Sequence, residues 1–212
     1  MEGADLARSV EHYDSLARNY DRATRLINAI RRRTMAALDL VPGDIVLDAG
    51  CGTGWCLEWL AAQVGPQGRV VGFDPAPEML AIARSRLSPE SAQRVTLLVA
   101  AAEEVKLPVQ PTAILFSYTH DLLQSHPALD NLFRQAAPGA RVASTGTKLY
   151  APWLVPANWW VRMRHRGYVT NFEGFAEPWS LLAGKLDDLR LVAGPFAQNY
   201  MATGRVKKAY SA

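Results

Sequence analysis

The sequence lacks long hydrophobic runs, has few cysteines and carries little net charge. No apolar stretch approaches the length of a membrane span, and Glu2 and Asp5 leave no apolar block for a signal peptide at the N-terminus. The two cysteines, Cys51 and Cys56, are too few for a disulfide framework and have no further ligands at zinc-site spacing, so we expect no bound metal. The formal net charge of +3 comes with no nucleic-acid recognition motif, so no nucleic-acid partner is expected.

A glycine-rich turn is the most informative part of the chain. Residues 46–54 read Val-Leu-Asp-Ala-Gly-Cys-Gly-Thr-Gly, and apolar residues resume behind them at helical spacing. This pattern predicts a buried strand, a turn that lets a ligand lie against the main chain, and a helix. A dinucleotide motif would need glycine where Trp55 stands, and no Gly-Lys-Ser/Thr of a Walker loop follows. A second apolar run ends at Asp74, about 20 residues beyond the turn, where an acid can bind ribose hydroxyls.

These motifs, together with the Met79-Leu80 pair on the next predicted helix, resemble those of the class I S-adenosylmethionine-dependent methyltransferases over about residues 9–150. The resemblance implies S-adenosylmethionine as cofactor and S-adenosylhomocysteine as product. It implies that the methionine end lies on Asp48 and the glycine turn, with the ribose at Asp74. Many relatives carry an acid after the third strand that binds the adenine. The aligned residue here is Ala101, so either Glu103 or the backbone alone takes that role. The cofactor-binding residues expected are Tyr13, Tyr20, Asp48, Gly50, Cys51, Gly52, Gly54, Asp74, Pro75, Met79, Ala102, Glu103 and Ser117.

Strands and helices are predicted to alternate along the chain, which favours an α/β, doubly wound, Rossmann-like sheet. The final strand pair fits the reversed edge strand of the seven-stranded, mostly parallel sheet in the methyltransferase family. Strands are expected near 45–49, 69–74, 95–99, 113–118, 141–145, 188–193 and 198–206, and helices near 5–20, 22–40, 54–64, 76–87, 127–137 and 176–184. We interpret 1–212 as a single domain with an N-terminal helical lid (1–42), a cofactor-binding core (43–147), an aromatic substrate-side insertion after strand five (148–180) and terminal strands (181–212).

Candidate catalytic residues follow the fourth strand, because ligands bind outside the carboxyl ends of parallel strands. His120 titrates near neutral pH and can accept a proton from an acceptor, and Asp121 can orient it. An alternative is that His120 only shapes the pocket, since alignment of donor and acceptor can suffice for methyl transfer. The insertion is rich in aromatic residues, which suit an apolar or ring-bearing substrate unless they serve only for packing. The substrate-binding residues expected are Tyr118, Tyr150, Trp153, Trp160 and Phe172.

Methyl transfer from S-adenosylmethionine to a small, fairly hydrophobic metabolite in the cytoplasm is therefore the leading hypothesis. The alternatives are a phospholipid amine or quinone methyltransferase at the membrane surface, an aminocarboxypropyl transferase and a non-catalytic cofactor-binding scaffold. Basic residues at 22–33 and 162–166, the latter beside Trp159 and Trp160, allow weak contact with an anionic membrane or are ordinary surface charge. The oligomeric state and the acceptor atom are left open by the sequence.

Overall fold

The structure is a computed structural model, and it describes residues 27–165, 172, 174–193 and 198–211. Most of the predicted lid, including the helix over 5–20 with Tyr13 and Tyr20, lies outside the described residues. Their predicted contacts with the cofactor therefore stay predictions.

Seven strands form one sheet in the order β3-β2-β1-β4-β5-β7-β6. The first five along the chain are parallel to one another, whereas β7 runs antiparallel to both β5 and β6. The doubly wound sheet with a reversed edge strand is thus confirmed. The strand order reverses between β1 and β4, which places a topological switch point at their carboxyl ends. The strands are β1 (Ile45–Ala49), β2 (Arg69–Asp74), β3 (Val95–Val99), β4 (Ala113–Ser117), β5 (Arg141–Thr147), β6 (Leu186–Val192) and β7 (Asn199–Val206).

The helices differ more from the sequence prediction than the strands do. The helix expected over 22–40 ends at Ala36, because Asp39 takes a left-handed backbone with φ of 49°. The helix expected over 176–184 is a single turn, since Pro178 keeps the residue before it out of the helical region. The described helices are α1 (Asn28–Ala36), α2 (Leu57–Val64), α3 (Pro77–Arg86), α4 (Pro89–Ala92), α5 (His120–Leu123), α6 (His126–Arg134), α7 (Val155–His165) and α8 (Ser180–Ala183), followed by a 3-10 turn at Lys208–Ser211.

Hydrophobic layers cover both faces of the sheet. Alternate β1 residues belong to different layers: Val46 packs in the layer that includes α2, and Leu47 packs in the layer that includes α6. The strands therefore read as continuous apolar runs, as expected for parallel strands buried on both sides. Ser125 caps α6 by accepting a hydrogen bond from the Ala128 N–H at 3.2 Å. Among the described helices, none has the length and apolar content needed to cross a bilayer.

Candidate active site

A cavity of about 380 Å³ opens at the carboxyl ends of β1, β2 and β4, beside the switch point. Most of the site residues predicted from the sequence within the described part of the chain line it. The exceptions are Gly54, Tyr150, Trp153, Trp160 and Phe172. The predicted residues that line the cavity are Asp48, Gly50, Cys51, Gly52, Asp74, Pro75, Met79, Ala102, Glu103, Ser117, Tyr118, His120 and Asp121.

The three glycines of the turn have different tasks. All have positive φ, which a side chain would strain. A β-carbon on Gly50 would lie 2.7 Å from Thr119 Cγ2, so this glycine lets the β1 and β4 loops approach each other. A β-carbon on Gly54 would lie 2.7 Å from that of Ala83, so Gly54 allows close packing on α3 and does not reach the cavity. A β-carbon on Gly52 would meet nothing within 4 Å, so the bare backbone faces the cavity there.

Asp74 joins the carboxyl ends of β1 and β2. Its Oδ2 accepts a hydrogen bond from the Gly52 N–H at 2.9 Å, and its Oδ1 accepts one from the Ala76 N–H at 3.0 Å. A carboxylate oxygen can accept more than one hydrogen bond. The carboxylate is therefore held in place by backbone groups, with its position set before a ligand is bound.

Asp48 is a buried acid at the end of β1. Its side chain is only 2% exposed, and its Oδ2 has no hydrogen-bond partner among the described residues. Burial raises the pKa of Asp48 to about 7; Arg31 opposes this rise and the negative charge of Asp74 adds to it. A buried carboxylate oxygen with no donor is costly, and such atoms mark positions where a ligand can supply the missing group.

Arg31 is a site residue that the sequence reasoning missed, because it assigned this residue to a basic surface cluster. The side chain lines the cavity and is only 4% exposed. Its guanidinium carbon lies 5.4 Å from the ring centroid of Trp55 and 5.3 Å from that of Tyr118. Its buried Nε and Nη1 have no hydrogen-bond partner among the described residues. Helical spacing could have indicated that Arg31 is buried, since it shares its helix face with buried Thr34 and Met35.

Apolar side chains also line the cavity. Met79 is fully buried in the lining, which also includes Ala102. Asn131 of α6 holds the loop that carries Ala102, because its Nδ2 donates to the Ala102 carbonyl at 2.9 Å and to the Val105 carbonyl at 3.0 Å. Glu103 lines the cavity while its Oε1 accepts a hydrogen bond from Ser125 Oγ at 2.7 Å. The predicted adenine loop is thus anchored to α6 on the side away from the glycine turn.

The residues after β4 form a tight turn at the cavity. Tyr118 has a left-handed backbone with φ of 62°, which costs roughly 1–2 kcal/mol for a residue with a β-carbon. Two hydrogen bonds hold it there: its N–H donates to the Thr145 carbonyl at 2.8 Å, and its hydroxyl donates to Asn199 Oδ1 at 3.0 Å. The turn brings His120, the first residue of α5, into the lining, where its ring lies edge-on to Phe175 with centroids 4.5 Å apart.

The described aromatic residues of the insertion do not line the cavity as the sequence predicted. Trp153 and Trp160 lie on the exposed surface, and Phe172 reaches the site only by packing on Phe175, with centroids 5.1 Å apart. Tyr150 contributes backbone groups that pair with Asn158. The physical reason is that α7 turns Asn158 inward, and this rotation points its tryptophans outward. Composition indicated aromatic residues near the site but gave no information on this rotation.

Comparison with known proteins places the chain in a family. The model of a family described as a methyltransferase domain matches residues 46–139. Aklanonic acid methyltransferase from Streptomyces sp. strain C5 is 31% identical over 151 residues, which is 68% of this chain and 68% of that protein. A demethylmenaquinone methyltransferase from Symbiobacterium thermophilum is 30% identical over 62% of this chain and 55% of its own length. An arsenite methyltransferase from Halobacterium salinarum is 32% identical over 53% of this chain. The matched part covers only 29% of the length of that protein.

Solved structures share the fold. An S-adenosylmethionine-dependent methyltransferase from Aquifex aeolicus superposes with a TM-score of 0.63 at 21% identity, covering 91% of this chain and 98% of its own. DhpI, solved in complex with S-adenosylhomocysteine, superposes with a TM-score of 0.67 at 16% identity, covering 98% of this chain and 99% of its own. At such identities these two structures support the fold alone. With the family match and the relative that is 31% identical, they establish that the chain belongs to the S-adenosylmethionine-dependent methyltransferases.

Proposed function

We propose that this protein transfers a methyl group from S-adenosylmethionine to a small, fairly hydrophobic metabolite. The observation that carries the proposal is the pair of opposite buried charges in one cavity. Within the described part of the chain, Asp48 Oδ2 has no donor, and Arg31 Nε and Nη1 have no acceptor. The amino-acid end of S-adenosylmethionine carries one ammonium and one carboxylate, so it can supply both missing partners. Charge-assisted hydrogen bonds of this kind are about twice as strong as neutral ones.

The rest of the cavity suits the other parts of the donor. The two ribose hydroxyls can donate to the carboxylate of Asp74. The adenine can lie against Met79, with the Ala102–Glu103 loop at its edge. Cys51 and Ser117 complete the lining between the two ends. A volume of about 380 Å³ is within the usual range of small-molecule sites.

The chemistry supplied by the donor is displacement: the acceptor bonds to the methyl carbon, the carbon–sulfur bond breaks, and its electron pair stays on sulfur. The protein contributes alignment, because a fixed Asp74 and buried charges at Asp48 and Arg31 hold one reactant in a single orientation. His120 accepts the proton that the acceptor loses onto an imidazole nitrogen, and Asp121, which follows it in the lining, orients the ring.

The acceptor side favours an apolar molecule. His120 lies between the cavity and the fully buried Phe175, and Leu122 adds a further apolar side chain to the lining. Among the relatives, one is named for aklanonic acid and another for demethylmenaquinone, which supports an acceptor of the small-metabolite class. We infer that the acceptor binds between Tyr118 and His120.

Calorimetric titration with two ligands tests the donor site. Wild-type protein should bind S-adenosylhomocysteine much more tightly than 5′-methylthioadenosine, which has no amino-acid group. Arg31→Met should remove most of this preference, because it removes the partner of the carboxylate. Arg33→Met is the matched control, since Arg33 is an exposed arginine on the same helix and should change nothing. An unchanged preference in Arg31→Met would contradict the proposed orientation.

Product mass tests the reaction itself. Protein incubated with labelled S-adenosylmethionine and a metabolite extract should yield labelled products heavier than their precursors by one methylene unit. A larger increment, equal to an aminocarboxypropyl group, would replace the proposal with the alternative transfer. Tight donor binding without labelled product from any extract fraction would favour a non-catalytic scaffold.

A further inference from the structure

Exposed hydrophobic side chains are concentrated on one short segment of the molecule. Of the nine large hydrophobic side chains exposed among the described residues, five lie between residues 153 and 163. We call this set the outer face of α7. Exposed apolar side chains that are grouped in this way are typical of interaction sites. The set consists of Trp153, which precedes the helix, and of Val155, Trp159, Trp160 and Met163 on it.

The rotation of α7 is set by contacts on its inner side, so the exposure of the outer face is built into the fold. Asn158 Oδ1 accepts a hydrogen bond from the Tyr150 N–H at 2.8 Å, and its Nδ2 donates to the Ala151 carbonyl at 3.3 Å. Val161 is fully buried. Residues 158 and 161 are three apart and share one side of the helix, which leaves Trp159 and Met163 on the other side.

The sequence that includes α7 is basic. No acid stands between Asp130 and Glu173 in the sequence, whereas this interval holds Arg162, Arg164 and Arg166. Arg162 is exposed beside the tryptophans. Tryptophan is favoured at the interface between lipid and water, and basic residues are attracted to anionic lipid headgroups.

We propose that the outer face of α7 docks onto an anionic phospholipid surface, with the tryptophans in the headgroup region and Arg162 at the lipid phosphates. A second copy of this chain fits the face less well. A two-fold contact pairs the same surface patch with itself, so it would bring the basic segments of both copies together. An anionic lipid surface meets the apolar and the basic requirement at once.

This location has a further consequence, which rests on the proposed function. The Arg162 guanidinium lies 5.7 Å from the ring centroid of Phe172, Phe172 packs on Phe175, and Phe175 packs on His120. A series of side-chain contacts therefore joins Arg162 of α7 to His120 at the cavity. Docking of α7 would thus bring the acceptor side of the cavity towards the lipid, where an acceptor dissolved in the membrane is available.

Vesicle flotation tests the docking. Wild-type protein should float with vesicles of phosphatidylcholine and phosphatidylglycerol at low salt, and should bind pure phosphatidylcholine vesicles far less. Val155→Ser should weaken partitioning about tenfold, because the variant loses the burial of one valine side chain. Val192→Ser is the matched control, since Val192 is 58% exposed and Val155 is 67% exposed, but Val192 lies on β6. Equal partitioning of these two variants would overturn the proposal.

The charge is tested in the same way. Arg162→Gln should lose part of the preference for anionic vesicles, and Arg190→Gln, an exposed arginine on β6, should keep it. Equal binding to neutral and anionic vesicles would refute the assignment.

Light scattering of wild type and Trp159→Ser provides a separate control: a dimer that the substitution dissociates would assign this face to a second copy and refute lipid docking. Titration with S-adenosylhomocysteine in the absence of lipid is expected to be the same for all these variants, so failure of docking and failure of donor binding are distinguishable.

Discussion

Replacing Asp48 with Asn should make the ligand-free protein more stable above neutral pH and weaken its binding of the donor. The reason is that the wild-type protein must bury an ionised carboxylate at this position, whereas Asn keeps the shape without the charge. The buried charge is useful only when an ammonium group faces it. The two effects should therefore have opposite signs and should appear in the same variant.

The size of the effect follows from the pKa. Burial raises the pKa of Asp48 from 3.8 to about 7. One pKa unit corresponds to about 1.4 kcal/mol, so the ionised folded protein loses up to about 4 kcal/mol relative to the protonated form. The amide of Asn is itself a buried polar group with an incomplete set of partners, so we expect a net gain of about 1–3 kcal/mol. For a chain of this length, such a gain raises Tm by roughly 2–10 °C.

The pH dependence identifies the cause. A raised pKa in the folded state means that the stabilising protonated form is fully present below pH 3.8 and is lost as the pH rises to about 7. The Tm of Asp48→Asn relative to wild type should therefore increase as the pH rises from about 4 to about 7 and level off above about pH 7. Thermal unfolding followed by circular dichroism across this range measures it directly.

Asp44→Asn is the matched control with the opposite sign. Burial alone would raise the pKa of Asp44, but hydrogen bonds from the Val41 N–H, the Arg141 guanidinium and the Thr112 hydroxyl lower it. Asp44→Asn should therefore destabilise the protein at neutral pH, and this loss should diminish in acid. If Asp48→Asn were less stable than wild type at about pH 8, or if its advantage did not vary with pH, the reasoning about the buried charge would be wrong.

Four further predictions concern the glycine turn, His120 and the ionisation of Asp48. Gly54→Ala should lower the free energy of unfolding by about 2 kcal/mol or more, because its methyl group would meet Ala83 at positive φ; urea unfolding measures this. Gly52→Ala should retain more stability than Gly54→Ala but bind S-adenosylhomocysteine more weakly in calorimetry, since its methyl group enters the cavity; the reverse ranking would contradict the division of tasks in the turn. His120→Gln should lower kcat by roughly 10²-fold while the donor Kd stays constant, and an unchanged kcat would leave His120 only a role in shaping the pocket. Wild-type affinity for S-adenosylmethionine should rise as the pH passes about 7 and Asp48 ionises; a flat pH profile in Asp48→Asn would identify the titrating group.

The strands were predictable because their physical cause is local. Parallel strands covered on both faces require runs of apolar residues, and the runs ending at Asp48 and Asp74 carry their ligand-facing acids at the tips. The glycine turn could be assigned for a similar reason, since only glycine takes its backbone angles without strain. The sequence could not distinguish a glycine that is needed for packing from one that contacts the ligand. Gly54 follows the same alternation as Gly52 but packs on α3.

The sequence predictions failed at residues whose role depends on how a helix is rotated or on which groups a side chain contacts. Arginine is normally exposed, so Arg31 was placed with its exposed neighbours, although its helical spacing places it on the buried face. Trp153 and Trp160 were assigned to a substrate wall from composition, whereas the hydrogen bonds of Asn158 turn α7 the other way. These contacts join residues that no local pattern relates, and only the folded structure shows them.

The hydrogen bond from Tyr118 to Asn199 joins the acceptor side of the pocket to a residue that lies 81 positions later in the chain. Asn199 begins the reversed strand, which contributes nothing to the donor end of the cavity. A substitution at this position would remove one of the two hydrogen bonds that hold Tyr118 and would alter the proposed acceptor side, while Asp74 keeps its contacts with the glycine turn. Under the proposed function, a change in the last strand can therefore alter the choice of acceptor without a change in the residues that bind the donor.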